Sequence, residues 1–352
     1  MPPASSLPIR VLIVDDSAFV RHTFSKRLQE YAPDIQIIGT AWNGPDALQQ
    51  IPFLAPDVIT LDINMPQMNG LMTLQAIMAQ APRPVIMVST LTQEGAQETL
   101  DALSLGAVDF VPKPITPTQL TQVIQELADK IRAAAHIRVP SIPILPPPIR
   151  QHALAHPLRA YEKIVVIGAS TGGPRALNAI LPALPQDLPA AIVVVQHMPS
   201  PFTRSLAERL DSISTLSVKE ATDEMYLQAG QVLVAPGGQH LEFTASGKVH
   251  LHQGPTVNGV RPAVDVTLTS IATHFGKRTI GVIVTGMGRD GTQSAQLVRK
   301  AGGMIIAEDA STSVVWGMPR SVIEAQATNY ITPLPQIAAI ITYLVKGRKN
   351  GS

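Results

Sequence analysis

The sequence predicts an α/β protein built from two open parallel sheets, each wound with helices and joined by a proline-rich connector. Three observations carry this. Short apolar runs alternate with amphipathic stretches over roughly the first 130 residues, and the same alternation resumes from residue 161. Between them, Pro140, Pro143, Pro146, Pro147, Pro148 and Pro157 crowd into a segment that neither a helix interior nor a central strand can hold. A chain of 352 residues has room for two domains, each with its own core. The boundaries read as a tail at 1–8, a first domain at 9–132, an extended connector at 133–160, a second domain at 161–345 and a tail at 346–352.

In the first domain the apolar runs at 10–14, 35–39, 58–61, 85–88 and 107–111 are each followed by a helix candidate, which predicts five parallel strands. Asp15 and Asp16 close the first run and Asp62 the third; Ser89 closes the fourth, and Lys113 follows the fifth. The carboxyl ends of parallel strands face one crevice. Three carboxylates gathered there repel one another unless a hard cation such as Mg²⁺ binds them, and a hydroxyl and an ammonium beside them complete a phosphoryl site. Asp62 is then the candidate for a transient acyl phosphate.

In the second domain the run at 163–167 leads into Gly168-Ala169-Ser170-Thr171-Gly172-Gly173-Pro174. A strand that turns sharply into a helix presents its turn residue at the sheet edge, and the helix start supplies free N–H groups and a positive dipole end. A phosphate cradle uses the same kind of loop. Here the spacing is not G-x-G-x-x-G, and the next apolar run does not end in an acidic residue that could hold a ribose. Instead the run at 191–195 ends in Gln196-His197-Met198-Pro199, and the run at 279–284 leads into Thr285-Gly286-Met287-Gly288-Arg289-Asp290-Gly291. Ser170, His197 and Asp290 thus fall at three strand ends, where they can converge as nucleophile, base and orienting carboxylate. Singly, each reads as well as a helix cap or a loop residue. The chain order Ser, His, Asp differs from the order in α/β-hydrolases, which points to a Rossmann-like sheet with its own triad.

Residues 231–238, 240–243 and 248–252 read as a β-ribbon inserted in this domain, with His250 and His252 on one face as a solvated polar pair. His136, His152 and His156 lie in the connector without the Cys or carboxylate neighbours of a metal site.

Composition narrows the function. With 27 basic and 26 acidic residues the net charge is +1, which argues against a dedicated nucleic-acid binder. The absence of cysteine excludes thiol catalysis, disulfides and Cys-ligated zinc. No apolar run approaches the roughly 18 residues of a membrane span, and the N-terminus lacks a signal-peptide pattern, so the expectation is a soluble cytoplasmic protein without membrane insertion.

At this point the motifs resemble known families. Residues 9–130 resemble a two-component receiver domain of flavodoxin-like fold in Val14-Asp15-Asp16-Ser17, Leu61-Asp62-Ile63-Asn64-Met65-Pro66, Val88-Ser89 and Lys113-Pro114. Residues 161–345 resemble the catalytic domain of the chemotaxis protein-glutamate methylesterases, the CheB family. The likeness rests on the Ser170, His197 and Asp290 segments, Ala235-Pro236-Gly237-Gly238, Arg261-Pro262, Val264-Asp265 and Ser313-Val314-Val315-Trp316-Gly317-Met318-Pro319. The resemblance implies hydrolysis of glutamyl methyl esters on the cytoplasmic helices of chemoreceptors, with deamidation of particular receptor glutamines by the same site. It implies Ser170 as nucleophile, His197 as base and then acid, Asp290 as its partner, the Met287 amide as oxyanion donor and Thr171 as a lining residue. It implies phosphorylation of Asp62 by a chemotaxis histidine kinase, with Ser89 and Lys113 in support. Asp15, Asp16, Asp62 and the Asn64 carbonyl would hold Mg²⁺, and Phe110 matches the aromatic switch position. No cofactor is implied for ester hydrolysis. The expected enzyme is a monomer whose receiver restrains the catalytic domain until phosphorylated. Two positions depart from the common pattern. Asn64 replaces a frequent Glu, which bears on phosphoryl lifetime, and Arg289 either perturbs its neighbour Asp290 or binds an acidic receptor surface.

Three other readings use the same parts: a response regulator with a DNA-binding output, a phosphorylation-controlled scaffold with a silent hydrolase domain, and a nucleotide-dependent enzyme. The neutral charge disfavours the first and the complete triad the second, while absence of NAD or ATP binding would remove the third.

Overall fold

The computed structural model of the chain describes residues 7–114, 116–137 and 155–347, which fall into two compact units. His152 and the connector prolines from Pro140 to Pro148 lie outside the described residues.

The first unit alternates strand and helix throughout: β1 (Ile9–Val14), α1 (Ala18–Tyr31), β2 (Ile35–Ala41), α2 (Gly44–Leu54), β3 (Val58–Asp62), α3 (Gly70–Gln80), β4 (Val85–Ser89), α4 (Gln93–Ser104), β5 (Asp109–Pro112) and α5 (Pro117–Ala134). The strands are all parallel in the order β2-β1-β3-β4-β5. Every residue of β3 and β4 is buried, as expected of strands covered by helices on both faces. Helix starts are marked by side-chain caps: Ser17 Oγ, Asn43 Oδ1, Asn69 Oδ1 and Thr92 Oγ1 each accept a first-turn N–H. The fifth strand begins two residues later than the apolar run suggests. Gly106, at φ 110°, ends α4, and the Ala107 N–H still closes that helix on Ala102 O at 3.0 Å.

The second unit contains β6 (His156–Pro157), β7 (Lys163–Ala169), α6 (Gly173–Ile180), β8 (Ala190–Gln196), α7 (Ser200–Ile213), β9 (Ser217–Glu220), β10 (Gln228–Ala229), β11 (Gln231–Val234), β12 (His240–Phe243), β13 (Val249–His252), α8 (Val264–Phe275), β14 (Thr279–Ile283), α9 (Thr292–Lys300), β15 (Met304–Glu308), α10 (Met318–Glu324), β16 (Tyr330–Thr332) and α11 (Leu334–Lys346). Seven of these strands form a sheet in the order β16-β15-β14-β7-β8-β11-β9, parallel throughout. The order runs outward in both directions from β7 and β14, which is the switch point of a doubly wound sheet. Ile164, Val166, Val193, Val195, Val264, Leu268 and Ile283 form part of one buried cluster between this sheet and its helices. Burying a side chain of this size is worth about 1.5–3 kcal/mol.

Two expectations are corrected. The inserted ribbon is β12 paired antiparallel with β13; Gln231–Val234 belongs instead to the main sheet, fully buried between β8 and β9. Ordered structure also reaches into the range read as connector. Helix α5 runs to Ala134, and His156–Pro157 pairs antiparallel with Gln228–Ala229. Proline is tolerated there because this is a two-stranded ladder with an open edge. No helix among the described residues is long and apolar enough to cross a membrane.

Candidate active site

The sheet register brings the triad positions together. β7 and β8 pair up to Ala169 opposite Gln196, so Ser170 and His197 are the first residues to leave the sheet on neighbouring strands. The His197 amide donates to Ala169 O at 3.1 Å, and the Gln196 side-chain amide donates to both Ser170 O, at 2.9 Å, and His197 O, at 3.2 Å. On the other side of β7, Ile283 of β14 lies opposite Gly168, and the Ser170 amide donates to Thr285 O at 3.0 Å. The loop from Thr285 then carries Asp290 back over the switch point. Gly286 is forced by close approach: a Cβ there would stand 2.7 Å from Ser170 Cβ and 2.5 Å from Met318 Sδ.

His197 and Asp290 meet at 2.8 Å, between Nε2 and Oδ2. Asp290 is 2% exposed, yet its carboxyl is held below the usual carboxylate range. Burial alone would raise it; the His197 ring and the N–H groups of Asp265 and Val264 outweigh that. Oδ2 accepts Val264 N at 2.6 Å, while Oδ1 accepts Asp265 N at 3.1 Å, Gly291 N at 3.1 Å and Asn258 Nδ2 at 3.0 Å. Val264 and Asp265 open α8, whose N-cap residue Ala263 has no side-chain oxygen to offer, so Asp290 caps that helix from outside and gains from its dipole. Asp265 returns the arrangement, its Oδ1 accepting Ser294 N at 2.8 Å and Ser294 Oγ at 2.7 Å in the first turn of α9.

The loop after β14 sits beside Ser170 at Gly286. Gly286 N donates to Val315 O and Gly286 O accepts from Gly317 and Met318, which fixes the loop on the Val315–Met318 segment. The Met287 amide donates to no partner among the described residues. Thr171 is buried, and its carbonyl accepts Thr285 Oγ1 at 2.8 Å. Beneath the loop the fully buried Glu308 accepts Thr285 N at 2.8 Å and Thr312 Oγ1 at 3.0 Å. Burial pushes its carboxyl up, partly offset by those donors. Arg289 is exposed, and its carbonyl starts α9 by accepting Thr292 N and Oγ1.

In the first unit, oxygens of Asp15, Asp16 and Asp62 lie within 4.8 Å of one another. Lys113 Nζ stands 2.8 Å from Asp62 Oδ2 and 3.0 Å from Asp15 Oδ2. Burial pushes the Asp62 carboxyl up to about 6, against the pull of Lys113 and the Asn64 amide and with the help of Asp15. The inner oxygens Asp15 Oδ2 and Asp62 Oδ2 are buried, and the Lys113 ammonium is the group that faces both. A cluster of three carboxylates with one ammonium beside it is an all-oxygen donor set that fits a hard divalent cation. Asn64 is exposed on the loop after β3. Ser89 is turned elsewhere: its hydroxyl donates to Gly95 O at 3.1 Å, in the first turn of α4. Phe110 is buried, with Lys130 Nζ 5.2 Å from its ring centre.

On the ribbon, the His250 and His252 rings stack at 5.6 Å, and His252 Nδ1 accepts Gly254 N at 3.1 Å. Among the described residues only the Asp15, Asp16 and Asp62 group gathers as a metal-ligand set. Asn258, Asp265, Gln196 and Glu308 have no place in the role assignments drawn from sequence, although they buttress the triad positions. Only Asn258-Gly259 carries a local signal, that of a tight turn.

Comparison with known proteins covers both units. Residues 165–341 match the family model of CheB methylesterase, and residues 11–125 that of the response regulator receiver domain. The protein-glutamate methylesterase/protein-glutamine glutaminase of Symbiobacterium thermophilum is 50% identical over 353 residues, covering 96% of this chain and 97% of that protein. The protein of the same name from Thermotoga maritima is 49% identical over 342 residues, covering 96% and 98%. The crystal structure of the Thermotoga maritima CheB methylesterase catalytic domain shares 53% identity at a TM-score of 0.51, covering 52% of this chain and 99% of that one. With its family pattern over the second unit, its receiver pattern over the first and near full-length relatives at half identity, the chain belongs to the CheB methylesterase family.

Proposed function

We propose that this protein hydrolyses γ-glutamyl methyl esters on the cytoplasmic helices of chemoreceptors, releasing methanol, and deamidates particular receptor glutamines at the same site. The observation that carries the reading is the His197–Asp290 contact at 2.8 Å, at the sheet edge where Ser170 leaves the neighbouring strand. Asp290 is ionised and can only accept, so Nε2 carries the ring proton and Nδ1 holds the lone pair. Ser170 Oγ attacks the ester carbonyl as its proton passes to Nδ1. The Met287 amide receives the oxyanion; such donors are typically worth about 3–4 kcal/mol each. His197 then protonates the leaving methoxide, and methanol departs. Water, deprotonated by the same nitrogen, attacks the acyl-serine and frees the glutamate carboxylate. With glutamine the leaving group is ammonia, and the steps are otherwise the same.

Phosphorylation at Asp62 controls this activity in the proposal, with a chemotaxis histidine kinase as donor and the protein in the cytoplasm. Asp15, Asp16, Asp62 and the Asn64 carbonyl would hold Mg²⁺, which when bound neutralises charge on the phosphoryl oxygens. Lys113, already placed against Asp62, pairs with the phosphoryl group, and Ser89, which ends the neighbouring strand β4, supports it once its hydroxyl leaves Gly95 O. The phosphorylated state shifts the population toward a form in which the receiver no longer restrains hydrolysis. Deleting residues 1–130 tests that control: basal activity rises under the proposal, and a fall would contradict simple restraint. Mass spectrometry of methylated receptor helices incubated with the protein tests the chemistry, with conversion of methylglutamate to glutamate expected and an unchanged receptor as the contrary result.

A further inference from the structure

Val257 and Val260 exchange two backbone hydrogen bonds, of 3.2 and 3.1 Å, so Asn258 and Gly259 occupy the corners of a two-residue turn. Both have positive φ, 54° and 79°, which fits the type I′ turn that Asn-Gly takes at least cost. The turn delivers one side-chain nitrogen to two carboxylates. Asn258 Nδ2 donates to Asp290 Oδ1 and to Asp265 Oδ2, both at 3.0 Å. Carboxylate oxygens only accept, so the nitrogen and not the oxygen of the amide must face them.

We propose that Asn258 is a positioning residue for the hydrolysis, bridging Asp265 and Asp290 and keeping Asp290 Oδ2 directed at His197. The inference rests on the functional reading above. The two carboxylates share this one donor and are both nearly buried. Each also caps the helix that begins beside the other, and neither can turn away without stranding first-turn N–H groups. The groups facing Asp290 are His197 from the end of β8, Asp265 from α8 and Asn258 from the turn; Ser294 of α9 completes Asp265, and Arg289 next to Asp290 is exposed. Among the described residues Asn258 is the one side chain that donates to both acids.

Two variants of the full-length protein separate the amide from the turn. Asn258→Gly keeps a residue at ease at positive φ and removes the amide. Asn258→Asp keeps a turn-forming residue and replaces the donor with a third carboxylate. For Asn258→Gly the expected result is kcat lowered about 10- to 100-fold, as for loss of an outer hydrogen-bond partner, with KM and the thermal midpoint close to those of the parent. For Asn258→Asp the acid limb of the kcat/KM profile moves up by about one pH unit as well. Parental kcat in Asn258→Gly would overturn the proposal. So would a fall in both kcat and thermal midpoint with the acid limb of Asn258→Asp unmoved, which is the signature of a turn that only holds the fold. Absence of Ser170-dependent hydrolysis in the unsubstituted protein would instead remove the functional reading, and this inference with it.

Discussion

His197 reaches Asp290 through Nε2, the ring nitrogen farther from the backbone, at 2.8 Å. The consequence is a definite tautomer: proton on Nε2, lone pair on Nδ1. Nitrogen-15 NMR of the resting protein is expected to find Nδ1 unprotonated, and a proton there would contradict the mechanism. Asp290→Asn offers the ring a donor in place of an acceptor and favours the opposite tautomer. Its kcat should fall by about 10⁴-fold with little change in KM, measured by steady-state hydrolysis.

Gly286 owes its identity to crowding. Gly286→Ala places a methyl group 2.7 Å from Ser170 Cβ and 2.5 Å from Met318 Sδ, so Ser170 or the Met318 segment must shift. A kcat loss of about 100-fold is expected, because a misplacement of about 1 Å at the reacting atom costs that much. Steady-state kinetics beside a thermal melt would check it; unchanged kcat would mean that the loop relaxes away from Ser170.

The Asp62 carboxyl, raised to about 6, makes a stability prediction for the metal-free protein. Since the folded value lies above the unfolded one, its contribution is present below the unfolded value and lost as pH rises through about 6. Ionised Asp62 therefore weakens the receiver at neutral pH, by up to about 3 kcal/mol. Asp62→Asn, which imitates the protonated form, should raise the receiver's melting temperature at pH 7 and flatten its dependence on pH between about 4 and 6. Mg²⁺ should stabilise the parent by about 2.7 kcal/mol at 100 times its Kd and stabilise Asp62→Asn far less, as read by calorimetry.

Glu308 holds the loop that carries Met287 by accepting the Thr285 N–H. Glu308→Ala leaves that buried donor unpaired, which costs about 1–3 kcal/mol, and should lower kcat as the loop loosens. Glu308→Gln keeps an acceptor and no longer needs to hold a charge in a buried site, so its melting temperature should stay near the parent's.

Much of this was legible in the chain because local pattern and site coincide. Apolar runs ending in Asp15, Asp62, Ser170 and His197 identify both strands and strand ends, and parallel pairing then sets those ends side by side. Other parts depend on distant partners. Ser217–Glu220 has one buried position at the sheet edge and no apolar run to announce it. Gln231–Val234 has such a run, but nothing local says whether it joins the main sheet or the ribbon that follows. Asn258-Gly259 is legible as a turn, whereas the partners of the Asn258 amide lie 7 and 32 positions away and are set by how α8 and α9 begin. Ser89 falls at the expected strand end, yet its hydroxyl is held by Gly95 of α4, a contact only the folded chain defines.

The most direct test of the central claim is methanol release from methylated chemoreceptor membranes by the purified full-length protein, beside Ser170→Ala, with and without Mg²⁺ and a small phosphodonor. The account predicts release that rises with the phosphodonor and falls by about 10⁴- to 10⁶-fold in Ser170→Ala while the fold is kept. Equal release by the parent and Ser170→Ala, or none from the folded parent in either state, would contradict it.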